Sequence, residues 1–588
     1  MRHYLHLLAM PLMLAACTGQ PKTQPEPLPG DPIRINQLGY CPNQEKYATI
    51  ESEGWAEKYI ITSSETGETV WQGPAKYSAT SPWSGKVRQV IDFSDLRQTG
   101  SYELQAGPYR KTLTVAQHPF RNLAIGAAKA FYYQRSGTPI EEQYAGQWHR
   151  PAAHPDTCVL VHSSAASSGR PAGTIISSPG GWYDAGDYNK YIVNSGYSTG
   201  LMLTSFQLNA DQYASYSLNI PESGNTLPDY LNEIKVNLEW MLTMQDTDGG
   251  VYHKLTTPGF EDFVMPTDCH QTRYVVQKGT AATLDFAAAM AQAARVYKVY
   301  PDGEDFARRA LQAAERAWKW AQRHPDVVYD QDKMNSEHEP QVTTGAYGDG
   351  HFDDEFFWAA SELYFTTGRK AYLYNASNYA PARDYTYELP SWGNVYGLGI
   401  MGWLIQGTFY SYTDETAALY RQALRLVTDY CDQYLAQVPA SCYHAPFGND
   451  PRDFGWGCLS EGCCVRGITM LMAYRMTGEA RYLTAALECA DYLLGRNATG
   501  YCYVTGFGQK SPLHPHQRVS ASDSIDAPLP GFLVGGPNPM QQDTCQYPSD
   551  MPDESYVDIT DSYASNEIAI NWNASLAAFA GWLDAAIQ

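Results

Sequence analysis

The sequence predicts a two-part protein: a small all-β sandwich followed by a much larger all-α domain whose helices pair into a barrel. Three observations predict it. Between Ile33 and about Val115, short runs of β-forming residues are separated by turn residues. At Pro119-Phe120 the pattern changes to apolar faces repeating about every 3.6 residues. Several of the helical segments carry alanine on more than one side, as in Ala281-Ala282-Thr283-Leu284-Asp285-Phe286-Ala287-Ala288-Ala289, which suits helices buried among other helices.

Taken in order, the chain starts with Arg2 and an apolar run from Leu5 to Ala16, too short to cross a bilayer as a mature helix, which reads as an export signal. Leu14-Ala15-Ala16-Cys17 closes it and resembles the bacterial lipobox. That resemblance implies lipid attachment at Cys17 and an outer-membrane location, on the cell surface or the periplasmic face. Residues 18–31, with Pro21, Pro25, Pro27 and Pro29, read as an extended tether. Residues 32–116 read as a sandwich of about seven strands, with clear runs at Tyr47-Ala48-Thr49-Ile50, Tyr59-Ile60-Ile61-Thr62, Val87-Arg88-Gln89-Val90-Ile91 and Tyr109 to Val115. Residues 117–588 form the helical domain. Helices are expected at Phe120 to Tyr133, Ser198 to Asn209, Pro228 to Gln245, Ala281 to Val299, Asp305 to His324, Asp354 to Thr366, Gly399 to Tyr412, Glu415 to Val438, Cys464 to Thr477, Ala480 to Leu494 and Ser565 to Ala585, with a short one near Lys370 to Ala376. Long loops rich in glycine, proline and aromatics fall at Pro139 to Gly181, Gly249 to Gly279 and Gly495 to Ser562, where function is expected.

Composition narrows the partners. A net charge of −22 without a basic run argues against nucleic acid and favours a neutral substrate. With 44 Tyr and 14 Trp, the chain is rich in side chains that stack on and hydrogen-bond to hydroxyl-rich ligands, although core filling uses the same residues. Of 12 cysteines, setting Cys17 aside leaves an odd number, read as packing thiols or one local bridge.

The densest chemistry lies in Gly180-Gly181-Trp182-Tyr183-Asp184-Ala185-Gly186-Asp187-Tyr188-Asn189-Lys190-Tyr191, which places two carboxylates three residues apart among glycines and aromatics. One can act as a general base while the other orients the water. The same residues also suit an Asp-rich turn or a calcium loop, so a partner acid has to decide. Far downstream, Glu567 is read at the start of the last helix, where a protonated glutamic acid could protonate a leaving oxygen; a favourable partner for the helix dipole is the alternative.

Together Gly180 to Tyr191, Gly249-Gly250-Val251-Tyr252-His253-Lys254, Asp354-Glu355 before Trp358-Ala359-Ala360-Ser361-Glu362-Leu363, Tyr503 to Gly508 leading to Pro515-His516-Gln517-Arg518, and Asn566-Glu567 resemble the family 9 glycoside hydrolases. These are inverting cellulases with an (α/α)6 barrel, here the subgroup with an N-terminal immunoglobulin-like domain. The resemblance implies Asp187 as general base, Asp184 as the second aspartate on the water and Glu567 as general acid. It implies His516 and Arg518 at the sugar and His253 on the leaving-group side. Gln517 stands where relatives commonly have histidine, and Asn571-Trp572-Asn573 where many have Asp-Tyr-Asn. Trp572 and Trp456 are read against the sugar or, equally, in the core; Tyr183 is counted among the sugar contacts.

No cofactor is expected for catalysis. Asp354 and Glu355 resemble a calcium pair in some relatives, with carboxylates capping a helix as the simpler reading. The loop from His149 to Asp156 has alanine where relatives place a zinc-binding cysteine, which counts against zinc. The expected activity is endo-acting hydrolysis of cellulose-like, mixed-linkage or xyloglucan-type β-1,4-glucans by a monomer. The alternatives are an exo-acting cellobiosidase or glucosaminidase of the same family, and a surface lipoprotein that binds glycan without turnover.

Overall fold

The computed structural model describes residues 30–51, 58–407 and 413–587. Cys17 and the tether up to residue 29 lie outside the described residues, as do the last residues of the helix expected to reach Tyr412.

The N-terminal part is a two-sheet sandwich. One sheet holds β1 (Ile33–Arg34), β2 (Tyr47–Glu51), β6 (Val87–Asp92) and β5 (Tyr77–Thr80) in that spatial order; the other holds β4 (Thr69–Gly73), β3 (Tyr59–Ser63), β7 (Gly100–Ala106) and β8 (Tyr109–Val115). Eight strands therefore replace the expected seven among the described residues. Alternation places Ile50, Ile61, Ile91, Leu104 and Leu113 in the shared core.

From Arg121 the described residues form twelve helices of nine residues or more. Helices Ile192–Leu208, Thr280–Tyr297, Asp353–Thr367, Tyr396–Gln406, Arg466–Thr477 and Ile570–Ala586 are buried on nearly every side. Helices that bury one face alternate with them along the chain: Glu304–Arg323, for instance, buries Phe306, Ala310, Ala313, Ala314 and Ala317 and leaves arginines and glutamates outside. Alternating outer and inner helices make an (α/α)6 barrel. It closes because the last helix packs against both Arg121–Tyr133 and Ile192–Leu208. Inner helices approach closely where side chains are absent: a Cβ at Gly200 would lie 2.4 Å from the ring of Trp358.

Two expectations are corrected. The helix expected from Ser198 starts at Ile192, directly after the aspartate loop. The last helix begins at Ile570, and Glu567 stands before it in extended backbone (φ −71°, ψ 157°), between that helix and the short turn Tyr563–Asn566. The eleven cysteines from Cys41 to Cys545 are all free thiols, most of them buried, so no local bridge forms among the described residues.

The sandwich is welded to the barrel. Gln37 donates its N–H to the Leu494 carbonyl (3.0 Å), Trp83 donates Nε1–H to Gly448 (3.1 Å), and Asn36 donates Nδ2–H to Asp491 (2.8 Å). At the centre sits Arg496, fully buried, paired with Glu488 and with Asp491 (3.0 Å) and donating to the Tyr47 carbonyl of the sandwich (3.3 Å). Two buried carboxylates thus share one guanidinium. Arg496→Met is expected to cost about 3–5 kcal/mol in urea unfolding, because it strands the carboxylates. A loss of about 1 kcal/mol or less, the scale of an exposed pair, would show that the cluster does not bind the domains.

Candidate active site

The aspartate loop is held by backbone and buried ions before any substrate arrives. Gly180 and Gly181 both take positive φ (80° and 79°), and a Cβ at Gly181 would strike Trp240. Lys190, fully buried, bonds the Gly180 carbonyl (2.7 Å) and pairs with Asp156 (2.7 Å), which Arg273 also holds. Gln134 donates to the carbonyls of Tyr183 and Ala185, and the Asp184 N–H bonds the Asn189 carbonyl (3.0 Å), closing the turn that brings both aspartates to one end.

The loop is then sewn to the distant Glu567 segment. Ala185 bridges Ala569, and the Ile570 N–H bonds the Asp184 carbonyl (2.8 Å). His516 bridges Glu567, while the Arg518 N–H and Nη1 both bond the Gly186 carbonyl (3.0 and 2.9 Å). Gly186 has no substitute in this seam, since a Cβ there would lie 2.2 Å from the His516 carbonyl oxygen. Asn566 fixes the other end: it donates to the His514 carbonyl (2.7 Å) and accepts from the Tyr556 hydroxyl (2.6 Å).

Asp184, Asp187 and Glu567 are brought together, and their surroundings differ. Asp184 is buried and accepts from Asn194 Nδ2 (2.6 Å) and the Tyr347 hydroxyl (2.7 Å). Burial, then the charge of Asp187, raises its acid. Asp187 accepts from Asn189 through Nδ2 (2.5 Å) and N–H (3.3 Å) and from the Tyr191 hydroxyl (3.5 Å), all on Oδ2. Glu567 is held well above the ordinary glutamate range, by burial first and then by the charges of Asp187 and Asp184, against a lowering by Arg518. Glu567 is therefore shifted toward its protonated form, the property a general acid needs.

The expected sugar contacts divide. His516 stays partly exposed, donates Nδ1–H to the Thr560 carbonyl (2.7 Å) and stands edge-on between Phe263 and Tyr563. Arg518 is largely buried, with its guanidinium 5.6 and 5.3 Å from the rings of Phe260 and Phe263, so it braces the seam and the rim. Trp456 is 49% exposed and tilts over Tyr563 at 5.5 Å, an accessible aromatic face. Trp572, by contrast, is buried beneath the turn at Gly457, where a Cβ would lie 2.4 Å from its Nε1; it supports Trp456's loop rather than a sugar. Tyr183 is also corrected to a core residue: it is 1% exposed and shares a hydrogen bond with His154 (2.8 Å). His253 lies under the site rather than lining it, stacked on Tyr329 at 3.8 Å and donating Nε2–H to the Ala346 carbonyl (2.8 Å). Sequence reasoning missed Asn194, in the unpredicted first turn of its helix, and Tyr347, in a loop with no motif around it.

Asp354 and Glu355 start the helix Asp353–Thr367 and are buried, not surface caps. Asp354 accepts the Val395 N–H (2.7 Å), and burial with the neighbouring charges of Asp354, Asp285 and Asp349 raises the acid of Glu355. Hard oxygens are present there, but among the described residues no group of three or more His, Cys, Asp or Glu converges to hold a metal ion. The calcium reading of Asp354 and Glu355 thus rests on the resemblance alone.

Comparison with known proteins agrees with this architecture. The profile of glycosyl hydrolase family 9 matches residues 120–580, and that of the cellulase N-terminal ig-like domain matches residues 29–111. The chain is 54% identical over 577 residues to the xyloglucan-specific endo-β-1,4-glucanase BoGH9A of Bacteroides ovatus, covering 97% of this chain and 96% of that one. It is 32% identical over 563 residues to endoglucanase D of Acetivibrio thermocellus, covering 94% and 83%. Among solved structures, a Bacteroides ovatus GH9 protein superposes with a TM-score of 0.91 at 52% identity, covering 95% of this chain and all of that one.

The environment of Glu567 generates a specific expectation. Glu567→Gln should remove nearly all hydrolysis of β-1,4-glucan while substrate binding persists, because the amide keeps the shape but cannot donate the proton. An aryl glycoside with a good leaving group should recover part of the rate. Equal loss on both substrates, measured by reducing-sugar and aryl-release assays, would remove Glu567 from the acid role.

Proposed function

The chain belongs to glycosyl hydrolase family 9 and is an endo-β-1,4-glucanase; on that premise we propose that it cuts xyloglucan-type β-glucans with inversion at the anomeric carbon. The reading is carried by the acids that one backbone seam brings together: Glu567 is pushed toward its protonated form by burial and by the charges of Asp187 and Asp184, which belong to the loop bridged to it at Ala185. A water held by Asp187 and Asp184 gives its proton to Asp187 as its oxygen bonds to the anomeric carbon. The glycosidic C–O bond breaks as Glu567 protonates the leaving oxygen. Tyr347 and Asn194 hold Asp184 in place for that water. No cofactor enters the reaction.

The preference for xyloglucan is supported by whole-length similarity to the Bacteroides ovatus enzyme, whose name states that specificity. Exposed Phe260, Phe263 and Trp456 offer apolar faces at the rim for a branched, hydroxyl-rich chain. We further propose export and lipid attachment through Cys17, on the Leu14-Ala15-Ala16-Cys17 motif, with the enzyme held at the outer membrane by the tether.

On soluble xyloglucan, viscosity should fall early relative to released reducing ends, the mark of internal cleavage, and the first product followed by NMR should be the α-anomer. A geometry serving inversion separates the two carboxyls by roughly 6.5–9.5 Å. A β-anomer appearing first would end the inverting mechanism, and faster hydrolysis of unbranched glucan would end the substrate reading. Labelled palmitate fed to the expressing bacterium should appear in the protein and vanish in Cys17→Ala; label retained in that variant would refute the anchor.

A further inference from the structure

The motif Gly249 to Lys254 ends in a residue that the hydrolysis above does not use. Lys254 has no exposed surface. It lies on the short strand Lys254–Thr256, paired antiparallel with Lys190–Tyr191 so that Tyr191 stands opposite Lys254. Its Nζ donates to Gln331 Oε1 (2.7 Å), Thr344 Oγ1 (3.0 Å) and the carbonyls of Gly345 (2.7 Å) and Thr344 (3.5 Å).

All four acceptors are neutral oxygens. The comparison with Lys190, on the neighbouring strand, is instructive: that equally buried ammonium has Asp156 at 2.7 Å and is neutralised on the spot. Burying an ammonium is costly unless an anion answers it. The anions whose charge acts on Lys254 are Asp187 and Asp184.

The segment Lys254 grips is the one that serves Asp184. Residues 344–345 are bonded by Lys254, the carbonyl of Ala346 by His253, and the next residue, Tyr347, delivers its hydroxyl to Asp184. The Tyr347 ring also packs against Tyr191 (4.7 Å), whose hydroxyl reaches Asp187.

We infer that Lys254 is a positioning residue of the reaction: its ammonium clamps the segment that carries Tyr347 and supplies the positive charge that answers the two catalytic aspartates. The other charged and titratable groups coupled to those aspartates are Glu567 and His516 from the downstream segments and the hydroxyls of Tyr191 and Tyr347, with Arg518 acting on Glu567 and His516. Lys254 itself is lowered to about 7 by burial, against the raising pull of Asp187 and Asp184, and Asp184 is in turn lowered by Lys254.

The test uses the full chain and whichever β-glucan or aryl glycoside the native enzyme hydrolyses, so it does not depend on the xyloglucan preference. Lys254→Met should lower kcat by about 100-fold through misplacement of the aspartates, with KM nearly unchanged. The acidic limb of kcat/KM should move up by about one pH unit, because the aspartate pair loses the cation that lowers Asp184. Lys254→Arg, which keeps the charge, should restore the position of that limb even if its rate stays low. Where Lys254→Met fails to fold, Lys254→Gln, which keeps donors without charge, is compared with Lys254→Arg. An acidic limb at the native position in the uncharged variants, or a native kcat, would overturn the proposal.

Discussion

The geometry of the candidate site depends on one seam of backbone hydrogen bonds, joining residues 184–186 to 516–518 and 567–570. The acids come from opposite ends of the helical domain, and side chains alone could not hold them in register. Peptide groups can, because they have few conformations and nearly every buried one must find a partner. Closure of the barrel by its last helix brings those peptide groups face to face. The fold is in this sense a means of bringing two strands of the site to within one hydrogen bond of each other.

The electrostatics follow from that proximity. In this mostly buried space the charge of Asp187, after burial itself, pushes the acids of both Asp184 and Glu567 upward. Asp187 receives Asn189 and Tyr191, Asp184 receives Asn194 and Tyr347, and Glu567 takes mainly repulsion and burial. Neighbours rather than residue type thus set the surroundings of these three carboxyls apart.

The overall plan was legible because both periods are strong: the strands at Tyr47, Tyr59, Val87 and Tyr109 and most helix limits were visible in the pattern of apolar residues. What was hidden has physical reasons. Residues Ile192 to Tyr197 are buried on every side, so no amphipathic stripe marks the true start of that helix. Strands Thr69–Gly73 and Tyr77–Thr80 bury no residue fully, so no apolar inward face marks them. Glu567 is extended because its peptide groups are claimed by His516 and Gly535 across the seam, a tertiary demand that local sequence does not announce. Aromatic content likewise could not separate Tyr183 and Trp572, which fill space, from Trp456, which faces solvent.

The exposed aromatics sit on segments that contribute little to the seam. Phe260 and Phe263 belong to a long connection touching the catalytic floor through the Glu261 carbonyl and Arg518, and Trp456 rides on a turn propped from below. Evolution can therefore redraw the rim while leaving the floor alone. A new side chain at Phe260, Phe263 or Trp456 can thus refit the mouth of the site without shifting any of the peptide groups that space the carboxyls below it.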